Sequence, residues 1–186
     1  DFTSLAEAPR TIFNVNVTPQ RRVATQATSL ERLKAIGEEA GGSINDVVLA
    51  ASSGAMRRFL LEIGELPRKS LVTSIPVALP RDSSQAGGNA ISFANVRLGT
   101  DIEDVRERFE MIRRSSAAGR AYLKRMSSTA LIDYTVLISS PQMLTRLPGM
   151  GSRVPPIYNV IISNVPGPRA KLYFLGAEME AYFPIS

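Results

Sequence analysis

The chain has 186 residues, 44% of them hydrophobic and 21% charged, with a net charge of +5. That balance suits a globular domain with a sizeable core. With no cysteine and no histidine it can build neither a disulfide framework nor a thiolate metal site, no metal is expected, and it holds no run of about 18 apolar residues that would span a membrane.

Residues 1–20 begin at Asp1 and are rich in Pro, Asn and Thr. They read as a linker from a preceding half of a longer protein rather than a signal peptide, with residues 21–186 as the domain proper. Residues 21–28 alternate well enough for a strand, with Val23, Thr25 and Ala27 on one face. Ser29 has the chemistry of an N-cap, and Glu31 in the first turn suits the positive end of the helix dipole. Leu30, Leu33, Ile36 and Ala40 make a helical stripe that Gly41-Gly42 ends. A second helix follows, capped by Ser43 or Asn45 and stopped at Gly64. Its expected apolar face is Val47, Val48, Ala51, Ala55, Phe59 and Ile63. Residues 50–55 are small-sided, which lets a neighbouring element approach closely.

Residues 71–79 form a nearly continuous apolar run, expected as a buried strand ending at Pro80. A polar loop with Gly87-Gly88 leads to a second strand over 89–98. Asp101 is placed to cap a long helix over 102–124, with Val105, Phe109, Ile112, Ser116 and Leu123 facing the core. Ser127 or Ser128 opens another helix through 138, and Pro141 starts a shorter one ending at Pro148-Gly149. Residues 157–186 read as a β-meander of strand, tight turn, strand and strand, with Gly176 at a turn. Helices interrupt the strands without strict alternation, so the fold class is α/β, or α+β, with a mixed sheet flanked by helices.

The arginines cluster as Arg21-Arg22, Arg57-Arg58, Arg106 with Arg108, and Arg113-Arg114. They serve either as solvated helix faces or as a basic surface for an anionic lipid or a phosphorylated cofactor. Nucleic acid is not expected, because no basic tract is interleaved with aromatics. Asn45-Asp46 opens the second helix, as a cap or as the wall of a site. Ile162-Ser163-Asn164-Val165-Pro166-Gly167-Pro168-Arg169 reads as a rigid turn that aims the Asn164 amide and backbone N–H groups at a fixed point, or as a crossover loop. Ser163, Asn164, Gly167 and Arg169 are therefore the candidate substrate-binding residues. Gly87-Gly88-Asn89 lacks the spacing and the Lys of a phosphate loop. No Gly-x-Ser-x-Gly elbow is present, and without histidine no serine triad can form. Glu38-Glu39 and Glu103-Asp104 lie on charged helix faces.

Several separated motifs resemble one family in the right order. They are Arg21-Arg22-Val23-Ala24, Gly41-Gly42-Ser43-Ile44-Asn45-Asp46-Val47-Val48-Leu49-Ala50, Gly88-Asn89-Ala90-Ile91 and Ile162 through Pro168. Leu172-Tyr173-Phe174, Gly176-Ala177 and Tyr182 with Pro184 complete the set. From Ile12 to Ser186 the chain resembles the C-terminal half of bacterial wax ester synthase/diacylglycerol acyltransferases. The resemblance implies a chloramphenicol acetyltransferase-like subdomain, and an enzyme that moves a long-chain acyl group from acyl-CoA to diacylglycerol or a fatty alcohol. It implies no cofactor, acyl-CoA being a substrate. The family's catalytic His-His-x-x-x-Asp-Gly motif belongs to the N-terminal half, which becomes the expected partner; no catalytic residue is expected in this chain, and the fragment alone is expected to be inactive. The family's Asn-Asp motif falls on Asn45 and Asp46, which take a supporting role. A cytoplasmic enzyme, peripheral at a membrane or lipid droplet, follows. The alternatives are a carrier-dependent condensation-type acyltransferase and a non-catalytic lipid-binding or dimerisation subdomain.

Overall fold

The computed structural model describes residues 3–4, 7–15, 18–78, 91–145, 154–168, 170–181 and 183. Pro80, the loop with Gly87-Gly88, Asn89, Pro148-Gly149, Arg169 and Tyr182 with Pro184 lie outside the described residues.

Ser29 caps α1 (Leu30–Glu39): its hydroxyl accepts from Arg32 N at 3.2 Å and donates to Glu31 at 2.8 Å. Gly41, at φ +65°, takes the left-handed position beyond the helix. α2 (Ile44–Glu62) opens on Ser43 rather than Asn45. Residues 21–28 form no regular element and are exposed, because Val23 is their only large apolar side chain and too little area is available for burial.

β1 (Val72–Ala78) pairs antiparallel with β2 (Ile91–Arg97), Val72 opposite Arg97 and Ala78 opposite Ile91. On its other side β1 pairs in parallel with β3 (Val160–Ile161), Thr73 opposite Val160 and Ser74 opposite Ile161, so the sheet order is β2-β1-β3. Pro76 sits in β1 beyond the last β3 pair. Its missing N–H therefore deprives no β3 acceptor, which is how an interior strand tolerates it.

α3 (Val105–Lys124) begins three residues later than expected. Asp104, not Asp101, is its cap, accepting from Arg106 N and Glu107 N at 2.9 Å each. Gly99, at φ +62°, and the bond from Ile102 N to Gly99 O take up the preceding residues as a turn. α4 (Ser128–Thr145) runs unbroken through Pro141, where a break was expected. Pro141 has no N–H for the carbonyl of Leu137, and the Ser140 hydroxyl donates to that oxygen instead, at 2.8 Å. The expected meander does not form. β4 (Tyr173–Phe174) and β5 (Ala177–Glu178) make a separate two-stranded hairpin, while β3 belongs to the larger sheet.

Leu49 and Leu60 of α2, Leu71, Ile75, Ala94, Val96, Leu98, and Ile112 and Leu123 of α3 form the core. The face of α2 that it buries is Asp46, Val47, Leu49, Ser53 and Leu60, whereas Ala51, Ala55, Phe59 and Ile63 are exposed. Apolar residues surround this helix, so periodicity alone does not set its phase. In the small-sided stretch, Ser53 donates to Leu98 O at 2.5 Å and Gly54 lies against Arg108. On α1 the expected stripe is largely exposed, and Gly37 is the buried residue. On α3 Val105 is exposed and the rest of the expected stripe is buried. α3 lies on β2 at Gly119, where an added Cβ would come within 3.1 Å of the Ala94 Cβ. Among the described residues no helix is long and apolar enough to cross a membrane.

Residues 3–4 and 7–14, in the stretch that composition marks as a linker, lie against this body. The Thr3 and Ser115 hydroxyls are 2.9 Å apart and buried. Arg10 donates to Val154 O at 2.8 Å and Asn14 to Tyr158 O at 3.0 Å.

Candidate functional site

The Gly41-Gly42 break turns the chain directly from α1 into α2, and Asp46 falls in the first turn of α2. The Asp46 Oδ2 accepts from Ser43 N at 2.9 Å and from the Ser43 hydroxyl at 2.7 Å, and that hydroxyl accepts from Asp46 N at 3.3 Å. This reciprocal pair is a capping box. Asp46 is only 2% exposed. Its second oxygen, Oδ1, is buried and has no hydrogen-bond partner. Phe109 of α3 closes over this corner: an added Cβ at Gly42 would lie 2.7 Å from the Phe109 Cζ and 3.5 Å from the Asp46 Oδ2. A side chain at position 42 would collide with the ring. Arg113, one turn further along α3, bonds Glu110 at 2.8 Å. That bond and charge, with a smaller contribution from Asp46, hold its guanidinium above the ordinary arginine range. Asn45 is half-buried and its side chain makes no hydrogen bond among the described residues.

The 162–168 segment differs from the expected tight turn. Ile162 N donates to Ser74 O at 3.2 Å, the last backbone link to β1. Beyond it the chain contains no turn or bend as far as Pro168. Pro166 and Pro168 hold φ near −65° and push the residues before them to extended conformations, which favours a strap over a reversal. Ser163, Asn164 and Gly167 are exposed, and neither Ser163 nor Asn164 makes a side-chain hydrogen bond among the described residues. An added Cβ at Gly167 meets nothing within 4 Å, so close packing does not require this glycine. Asp46 is gathered with Ser43, Gly42, Phe109 and Arg113, whereas Asn164 follows the β1–β3 edge. No hydrogen bond or ion pair joins the two groups among the described residues.

Three polar residues that hold the site's framework carry only a weak sequence signal. Asn159, 6% exposed, accepts from Val72 N at 2.9 Å through Oδ1. Through Nδ2 it donates to Pro9 O at 2.6 Å and to Asn14 Oδ1 at 2.7 Å. Asn95, 4% exposed, donates to Ile157 O at 3.0 Å. Both break apolar runs, Tyr158-Asn159-Val160 and Ala94-Asn95-Val96, which is the one cue the sequence holds. Arg108 is buried rather than on a solvated face, donating to the carbonyls of Ile102 at 2.8 Å and Glu103 at 3.1 Å. Burial, and then the charge of Arg57, lower its pKa.

Residues 87–186, more than half of the chain, match the family described as the WS/DGAT C-terminal domain. The chain belongs to this family. Residues 1–48 match the wax ester synthase/diacylglycerol acyltransferase catalytic domain. A Mycobacterium tuberculosis protein provisionally named diacylglycerol O-acyltransferase is 40% identical over 97% of this chain and 37% of its own length. An O-acyltransferase WSD of Acinetobacter baylyi is 37% identical over 100% of this chain and 40% of its own. The solved wax ester synthase/diacylglycerol acyltransferase of Marinobacter aquaeolei superposes with a TM-score of 0.77 at 33% identity, covering 94% of this chain and 39% of that one. The α/β class with a mixed, helix-flanked sheet and the chloramphenicol acetyltransferase-like fold are therefore as expected. This WS/DGAT chain spans about two fifths of the length of the relatives it matches.

Proposed function

We propose that the chain is the C-terminal part of an O-acyltransferase that moves a long-chain acyl group from acyl-CoA to diacylglycerol or a fatty alcohol. The observation that carries this reading is a pair of family matches in succession along the chain, one to a catalytic domain and one to its C-terminal domain, on a chain with no histidine. The base then belongs to polypeptide beyond these residues. It takes the proton of the acceptor hydroxyl, the oxygen attacks the thioester carbonyl, and the tetrahedral oxyanion collapses to the ester with the CoA thiolate leaving. The thiolate recovers that proton from the base.

This chain contributes the wall and the donors. The Asn164 amide, exposed and without a partner of its own, is free to donate to the developing oxyanion. The capping box holds Asp46 next to Asn45 in the first turn of α2, and the Asn45 amide has no hydrogen bond among the described residues. Ser163 and Gly167, exposed on the same strap, line the approach. No cofactor takes part. The net positive charge suits peripheral contact with an anionic membrane or lipid-droplet face, where apolar substrates collect.

In a polypeptide of the relatives' full length, Asn164→Ala should lower turnover with acyl-CoA and a fatty alcohol by roughly 100- to 1,000-fold, the range for loss of one oxyanion donor. The thermal midpoint should stay where it is, since the side chain is exposed. Unchanged turnover would remove Asn164 from the reaction.

A further inference from the structure

The strand that leads to Asn164 is thinly paired, yet buried side-chain amides hold the chain just ahead of it. β3 has two residues, Val160 and Ile161, each paired with β1. A strand this short lies below the usual length, and its ladder does little to fix its own register. Asn159 supplies what the ladder lacks. Its backbone N–H donates to Val72 O at 2.7 Å and its Oδ1 accepts from Val72 N at 2.9 Å, so it engages both backbone groups of one β1 residue. Nδ2 donates twice more, to Pro9 O at 2.6 Å and to Asn14 Oδ1 at 2.7 Å, and Asn14 returns a bond to Tyr158 O at 3.0 Å. From β2, on the other side of β1, Asn95 donates to Ile157 O at 3.0 Å. Buried amides add little net stability even when every bond is made. A satisfied buried network does specify one arrangement.

We infer that Asn159 is a positioning residue for the acyl transfer: it fixes the register from which Asn164 reaches the developing oxyanion. The inference rests on the function proposed above. Ile162 N makes the last bond to β1, and residues 163–168 make none back to the body among the described residues. Pro166 and Pro168 stiffen that strap without anchoring it. Asn164, two residues past the last bond, therefore sits wherever the register of β3 places it. An extended residue advances about 3.3 Å. A slip of one residue would move the Asn164 amide by that distance and turn it to the opposite face.

A double-mutant cycle in a polypeptide of the relatives' full length tests this, with kcat and KM measured for a long-chain acyl-CoA and a fatty alcohol. Asn159→Ala should lower kcat by about 10- to 100-fold, the scale on which a displacement of about 1 Å costs rate. Each KM should stay within about threefold, because the lost interaction acts in the transition state. Added to Asn164→Ala, the same substitution should cost less than about twofold more, because the group it aims is already gone. A residue that only holds the fold would slow both backgrounds equally. If Asn159→Ala does not fold by circular dichroism, Asn14→Ala, which leaves the Val72 clamp intact, takes its place in the cycle. Its loss should be smaller, about threefold or more, and should disappear in the same way. Unchanged kcat in the single variant, an effect on KM alone, or a loss that persists undiminished in the Asn164→Ala background would each overturn the inference and leave the oxyanion role of Asn164 standing. Wild-type turnover in Asn164→Ala would instead refute that role, and the inference with it.

Discussion

Asp46 illustrates how one side chain serves both framework and site. Its Oδ2 is committed to the capping box with Ser43, while Oδ1 is buried without a partner. A buried, unpaired carboxylate oxygen is costly, so its retention at this corner is consistent with a purpose beyond capping. The cap still dominates stability. Asp46→Ala should lower the free energy of unfolding by about 1 kcal/mol, the usual cost of losing an N-terminal cap, read as a lower urea midpoint at constant slope. An unchanged midpoint would mean the capping box does not hold α2. The role of Ser43 was open in the sequence, where Ser43 and Asn45 were equal candidates, because both residue types cap helices. The three-residue spacing from Ser43 to Asp46 is the part of the signature that decided it. Asn159 was hardly legible: a single asparagine in an apolar run does not reveal that it will bond Val72, Pro9 and Asn14, all distant in sequence.

At the scale of elements, α1, α2, the two long strands and α3 follow from caps, glycines and apolar runs, while the departures have local causes. α2 is apolar on more than one face, and the buried choice includes Asp46 and Ser53 because the Asp46 Oδ2 and the Ser53 hydroxyl find hydrogen-bond partners there. Pro141 marks a break by rule, but Ser140 bonds the carbonyl that proline leaves open, and α4 continues. The Ile162–Pro168 motif was legible as an unusual stretch, yet its two prolines extend the chain instead of reversing it. The packing of α3 on β2 depends on Gly119, where an added Cβ would lie 3.1 Å from the Ala94 Cβ. Gly119→Val should destabilise by about 1–3 kcal/mol through overpacking, and a thermal melt would register it. A variant as stable as the parent would show that α3 can shift outward at no cost.

For the whole molecule, the capped corner at Asp46 and the strap through Asn164 lie on one core, and the chain that carries them has no histidine. The exposed apolar tip at Leu175, the exposed stripe of α1 and the outer face of α2 all lie outside the core that this chain buries. The family match and the lack of histidine point the same way, to a protein whose reaction is completed by polypeptide that these residues do not include. The lack of histidine was legible in composition; which apolar surfaces the core leaves exposed could be read only once the phases of α1 and α2 and the separate pairing of the hairpin were known. The most direct test is ester formation from a long-chain acyl-CoA with a fatty alcohol or diacylglycerol, run on this 186-residue chain, checked by circular dichroism to be folded, and on a polypeptide of full relative length. The full-length protein should form ester with release of CoA thiol, and the chain alone should form none. Ester made by the chain alone, or none made by the full-length protein, would contradict the account.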